Sequence, residues 1–173
     1  MSLRLSKGFT LVELMITLVV LGVLMAIAFP SFRSTIRSNQ VAATNNEVLG
    51  LVSVARSEAI RNNRGGGVCP SADGSSCNGS WNNGIIAYGD VDGSGGFNTG
   101  DVVLRYTPGR PNLAISSAVT AASGITFDSR GRRRAAANQS ITITPENCRP
   151  GEPRRTLTVN LSGQVRAVQD TCS

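Results

Sequence analysis

The chain has 173 residues, room for one globular domain and an appendage. It contains no histidine, which removes histidine-based acid–base, nucleophile-activating and zinc-ligating chemistry at the outset. Its net charge of +6 is unevenly spread: residues 1–101 balance seven Lys/Arg against seven Asp/Glu, whereas residues 102–173 set ten arginines against Asp128, Glu146, Glu152 and Asp170.

The first eight residues carry Arg4 and Lys7 and lead into FTLVELMITLVVLGVLMAIAFP, residues 9–30. That apolar stretch is long enough to cross a bilayer as a helix. The two basic residues before it keep the amino terminus cytoplasmic and send the remainder to the far side. A cleavable secretory signal fits poorly, because Phe29-Pro30 stands where a small-residue cleavage site belongs. Glu13 is the one charge between Phe9 and Phe29. A lone carboxylate in hydrocarbon is costly unless it meets a partner; the plainer alternative is a tolerated charge in an ordinary membrane anchor.

From about Ser31 to Asn62, Val41, Val48, Val52, Ala55 and Ala59 recur at helical spacing, with Asn39, Asn45, Asn46, Glu47, Arg56 and Glu58 between them. This predicts an amphipathic helix with one face for a sheet. Pro30 is expected to kink the helix and Gly22 to loosen it. The breakers of RNNRGGG, residues 61–67, end it.

Strands are predicted at residues 84–88, 101–106, 124–127, 140–144, 156–161 and 164–168, with Ser162-Gly163 as a two-residue hairpin turn. Residues 62–83 and 89–100 read as loops, and Trp81 as a core or loop anchor. Cys69, Cys77, Cys148 and Cys172 have no zinc-site spacing, so disulfides in an oxidising compartment such as a bacterial periplasm are the better reading. Three connectivities are open. Cys69–Cys77 with Cys148–Cys172 closes the smaller loops, and free buried thiols are the alternative.

Lys7-Gly-Phe-Thr-Leu-Val-Glu13-Leu followed by the apolar run resembles the amino-terminal signal of type IV pilins and type II secretion pseudopilins. The resemblance implies that a prepilin peptidase cuts after Gly8, that Phe9 is then N-methylated, and that Glu13 engages the amino terminus of a neighbouring subunit. CPSADGSSC (69–77), WNNG (81–84), DVDG (90–93), GDVVLR (100–105) and GITFDSRGR (124–132) are similar to the GspH/FimT group of minor pseudopilins and minor pilins. The implied fold is α+β: a long N-terminal α-helix packed on an antiparallel β-sheet domain. Its parts are a leader over 1–8, a membrane-spanning and filament-core helix over 9–30, an amphipathic helix over 31–62, and a periplasmic sheet domain over 63–173. The expected location is the inner membrane in a single pass, and a pilus or pseudopilus after assembly. Expected partners are other pilins or pseudopilins, the inner-membrane assembly platform and the peptidase. An ordinary membrane-tethered periplasmic protein is the competing description.

Two further sites are candidates. Asp90, Asp92, Ser94 and Asp101 occupy positions 1, 3, 5 and 12 of an EF-hand-like calcium loop. A strand precedes it and its last acid is Asp rather than Glu, so no cofactor is expected, with calcium as the alternative to a plain β-connection. Arg132, Arg133, Arg134, Arg154, Arg155 and Arg166 form basic patches of the kind that contact phosphates. Some FimT-type minor pilins bind DNA during natural transformation through a G-R-x-R motif near their C-terminus, which makes double-stranded DNA a candidate partner here. Here the matching hairpin reads Gly163-Gln-Val-Arg166, and Gly131-Arg-Arg-Arg134 lies at an earlier loop. DNA contact is therefore the alternative to a solvated or subunit-facing basic surface. With no histidine, paired thiols and scattered acids, an enzyme is not expected.

Overall fold

A computed structural model describes residues 8–173, apart from the side chain of Pro30. One helix, α1, runs over Leu11–Arg61, and eight strands follow: β1 Gly65–Pro70, β2 Gly84–Asp90, β3 Val102–Pro108, β4 Leu113–Ser117, β5 Ile125–Asp128, β6 Gln139–Pro145, β7 Pro153–Val159 and β8 Val165–Thr171. The packing divides into two compact units, one ending at Ile36 and one spanning Arg37–Ser173.

In the first unit α1 passes through Gly22 and Pro30 unbroken, so the missing amide of Pro30 does not end it. In the second unit the helical spacing holds: Val41, Val48, Val52, Ala55 and Ala59 are all buried, joined by Leu51. Asn45 is buried as well, although its polarity had placed it on the wet face. At the end of α1, Asn63 takes a left-handed φ of 57°. Asn62 Oδ1 accepts from the amides of Arg64 and Gly65 at 2.8 and 3.1 Å, which stops the helix one residue before the expected Asn62.

The eight strands form two antiparallel four-stranded sheets, ordered β3-β2-β1-β5 and β4-β6-β7-β8, where one sheet was expected. Both pack on α1. Val68, Ile85, Ala87, Ile125 and Phe127 of the first sheet share a core with Leu113, Ile115, Ile141, Ile143, Leu157 and Val159 of the second. On its other face the first sheet buries Cys69, Ile86 and Tyr88 beneath Cys77 and Phe97. Trp81 joins the main core and donates from Nε1 to the Val119 carbonyl at 2.8 Å. Arg37 pairs with Glu152, and Arg110 with Glu47, fastening two loops to the helix.

Two strands escaped the pattern. Residues 65–70 read as helix-breaking loop but form β1, fully buried between β2 and β5. Its glycines are there because nothing larger fits. A β-carbon on Gly66 would lie 2.7 Å from the Ala55 carbonyl of α1, and one on Gly67 would lie 2.7 Å from the Tyr88 hydroxyl. The second is β4, whose Leu113 and Ile115 alternate inward. The β7–β8 turn also differs. Asn160 N donates to Gln164 O and Gly163 N to Asn160 O, so the loop has three residues, with Gly163 at φ 79°.

Candidate functional site

At the amino-terminal end, Gly8, Phe9 and Thr10 precede α1, and Phe9 is 87% exposed. Thr10 and Glu13 form a capping box. Glu13 Oε2 accepts from the Thr10 amide at 3.0 Å and from its hydroxyl at 3.1 Å, while Thr10 Oγ1 accepts from the Glu13 amide at 3.2 Å. Thr10 was not singled out from the sequence, although T-x-x-E before an apolar run is the local signal for it. Arg4 and Lys7 lie outside the described residues. Along the helix, Leu11, Leu14, Leu18, Leu21, Met25 and Phe29 are all more than half exposed. The most apolar window here has a mean hydropathy of 2.6, and none of it is buried.

In the second unit the loop after β2 brings Asp90, Asp92 and Asp101 together, one oxygen of each within 4.8 Å of the others. Each carboxylate oxygen already meets a donor. Asp90 Oδ1 accepts from the amides of Gly93 and Ser94, and its Oδ2 from Gly95 N, with the Arg134 guanidinium 3.5 Å away. Asp92 accepts from Ser94 N and Asn98 Nδ2, and Asp101 from Val91 N and Asn98 N. The Ser94 amide is the main reason that the Asp92 carboxyl sits well below the usual range. Ser94 Oγ is spent on Gly96 O and Asn98 Nδ2. The arrangement is a self-satisfied turn; a cation would have to displace these donors.

The arginines do not form one surface. Arg133 is buried, 6% exposed, so it cannot face a phosphate backbone. Nor do its Nε and Nη2 atoms find an acceptor. Arg134 donates to the carbonyls of Phe127 and Arg64, Arg132 pairs with Asp128, and Arg154 pairs with Asp170. Arg155 reaches Gln169 Oε1 at 3.2 Å. Of the six, Arg166 alone is exposed with no side-chain hydrogen bond or ion pair among the described residues. Every arginine counts equally toward the net charge; whether each is already spent depends on strand register.

Disulfides join Cys69 to Cys77 and Cys148 to Cys172, with Cα atoms 5.6 and 5.9 Å apart. Inside the first loop, Asp73 accepts from the amides of Ser75 and Ser76 and from the Ser76 hydroxyl and Asn78. These bonds, the Ser75 amide foremost, hold its carboxyl far below the ordinary value.

The prokaryotic N-terminal methylation motif matches residues 3–29, and the family model for type II transport protein GspH matches residues 44–163. The chain belongs to the GspH family. Over 167 residues it is 28% identical to a type IV major fimbrial protein, FimA, of Dichelobacter nodosus, covering 96% of this chain and 97% of that one. A fimbrial protein of Pseudomonas aeruginosa is 38% identical over 58 residues, 34% of this chain and 38% of its own. The GspH-family fold is shared with the minor pilin FimU of Pseudomonas aeruginosa at a TM-score of 0.58 and 20% identity, covering 75% of this chain and 89% of that one. It is shared too with the minor pseudopilin EpsH of the Vibrio cholerae type 2 secretion system, at 0.51 and 13%, covering 76% and 96%. These similar proteins are fimbrial proteins, a minor pilin and a minor pseudopilin.

Proposed function

We propose that this chain is a non-enzymatic minor pilin or pseudopilin, a structural subunit built into a type IV pilus or type II secretion pseudopilus. The observation that carries the reading is the uncovered apolar helix from Leu11 to Phe29, in which Glu13 is the only charge. Apolar surface of that length needs a bilayer or a bundle of like helices around it. The helix sits in the inner membrane before assembly, with the sheet domain in the periplasm, and passes into the filament core through the assembly platform.

Prepilin peptidase cleaves between Gly8 and Phe9. This creates a cationic amine four residues before Glu13, about one helical turn away. In the uncut chain Thr10 satisfies Glu13. In the bundle, an amine from an adjacent subunit neutralises the buried carboxylate, and a subunit out of register leaves it unpaired.

Intact-mass analysis of the mature chain should give a start at N-methylated Phe9. Glu13→Lys should abolish entry into filaments while the sheet domain stays folded. A mature terminus elsewhere, or normal incorporation of the lysine variant, refutes the reading. DNA contact, the alternative function, rests on the arginines after α1 whose side chains have no hydrogen bond or ion pair among the described residues: Arg105, Arg130, Arg149 and Arg166. Replacing these, not Arg133, is its proper test.

A further inference from the structure

Two sheets have four edges, and three are guarded. β3 is paired across a bulge at Ala87/Tyr88 and ends in Pro108. The far side of β5 is covered by the returning chain, where Arg134 N donates to Thr126 O and Arg133 bridges Phe127. On β4, the Ile115 amide is taken by Asn82 Oδ1. The fourth edge, β8, is seven residues long, has no proline, and pairs with β7 without a register shift. Six of its residues are exposed. An open edge of this kind is a template for another strand.

The ladder phase shows which groups are free. Asn160 N donates to Gln164 O at one end of the β7–β8 pair, and Cys172 N donates to Glu152 O at the other. Backbone groups alternate along a strand, so Arg166, Val168 and Asp170 turn theirs toward β7. Val165, Ala167, Gln169 and Thr171 turn theirs outward. The Thr171 amide is held by Asp170 Oδ1, which leaves the middle of the strand the most open.

We propose that β8 pairs antiparallel with β8 of a second copy of this chain, with the two-fold axis at Val168. In that register Ala167 and Gln169 of one copy face Gln169 and Ala167 of the other, and their outward amides and carbonyls meet. The side chains agree with the backbone. Val168, 43% exposed, meets Val168 of the second copy. Arg166, which has no side-chain hydrogen bond or ion pair among the described residues, meets the second copy's Asp170, a carboxylate that is 56% exposed although Arg154 of its own chain already holds Oδ2. Moving the axis to Ala167 or Gln169 keeps the hydrogen bonds but sets Arg166 opposite Val168 or Cys172.

An edge contact alone buries less than the roughly 800 Å² per partner of a stable interface, so a single pair is transient and gains strength only in arrays. The two-fold axis stands normal to the sheet and reverses the packed part of α1. Taken with the filament reading above, on which this clause alone rests, the copies so joined belong to opposed fibres.

The test uses the purified full-length chain in detergent and does not depend on processing or filament entry. All four native cysteines are paired, so Val168→Cys supplies one free thiol. In the proposed register the two introduced residues form a non-hydrogen-bonded pair with Cα atoms about 4.5 Å apart, within disulfide reach. Mild oxidation should yield covalent dimer on the order of ten-fold more than Ala167→Cys, whose symmetry mate lies out of reach. Adding Arg166→Asp to one Val168→Cys sample and Asp170→Arg to another should suppress dimer in each, and mixing the two should restore it. Equal cross-linking at 167 and 168, or indifference to the charge changes and to mixing, overturns the proposal.

Discussion

The carbonyl oxygen of Gly131 occupies the space that a β-carbon on Gly163 would need. Both glycines have positive φ, 70° and 79°, and Arg56 of α1 donates from Nε to that same carbonyl at 2.9 Å. Helix, the turn after β5 and the β7–β8 hairpin therefore meet at one point. Gly163→Ala should destabilise the sheet domain by at least about 2 kcal/mol, combining left-handed backbone strain with a backbone clash. Thermal unfolding should show a fall in Tm of roughly 4–8 °C. An unchanged Tm would mean that the contact is not made.

Trp81 is the only tryptophan and is 5% exposed, with its indole N–H on the Val119 carbonyl. Trp81→Phe keeps most of the packing and strands that carbonyl, at a cost of about 1–3 kcal/mol; Trp81→Ala should cost about 3–5 kcal/mol. Denaturant titration gives both values. In the wild-type chain the fluorescence should be blue-shifted when native and red-shift in one step on unfolding.

Acid should destabilise the domain, and neutral pH should not. Asp73, Asp92 and Glu152 have folded values lowered chiefly by backbone amides: Ser75, Ser94 and Arg149 respectively. Burial works against Asp128, yet the amides of Arg132 and Arg130 and the Arg132 guanidinium leave it lowered too. A carboxyl lowered on folding contributes stability above its unfolded value, near 4, and loses it as pH falls toward the folded value. With no histidine in the chain, Tm should be flat from about pH 5.5 to 8 and fall below about pH 4. A step near pH 6.5 would contradict this assignment.

Calcium should leave the Asp90–Asp101 loop unmoved. Its carboxylate oxygens are engaged by the loop's own amides, Asn98 and Arg134. Equal Tm values in millimolar calcium and in chelator are expected. A rise of several degrees with calcium would show that the ion displaces those donors and that the EF-hand-like spacing is functional.

Much of the fold was legible because it is written in short-range pattern. Val41, Val48, Val52, Ala55 and Ala59 all lie on the buried face their spacing predicts, and the six strands expected from alternation all form. The misses share a cause. Gly65, Gly66 and Gly67 look like breakers in any local window, and become a central strand once β2 and β5 pair on either side, with Asp90, Ala55 and Tyr88 leaving no room for a β-carbon. Arg133 looks like its neighbours until the chain returns along β5 and buries it.

What the residues determined unaided is local: an apolar run of membrane length with one acid near its start, and a thiol set with no zinc spacing. Helical period and hydrophobic transfer act over a few turns, so the chain needs no tertiary partner to declare them. Packing alone decided which arginines still face water, why three glycines stand in a strand, and which sheet edge stays open. Those outcomes depend on what lies across from each residue, and residues far apart in sequence supply it.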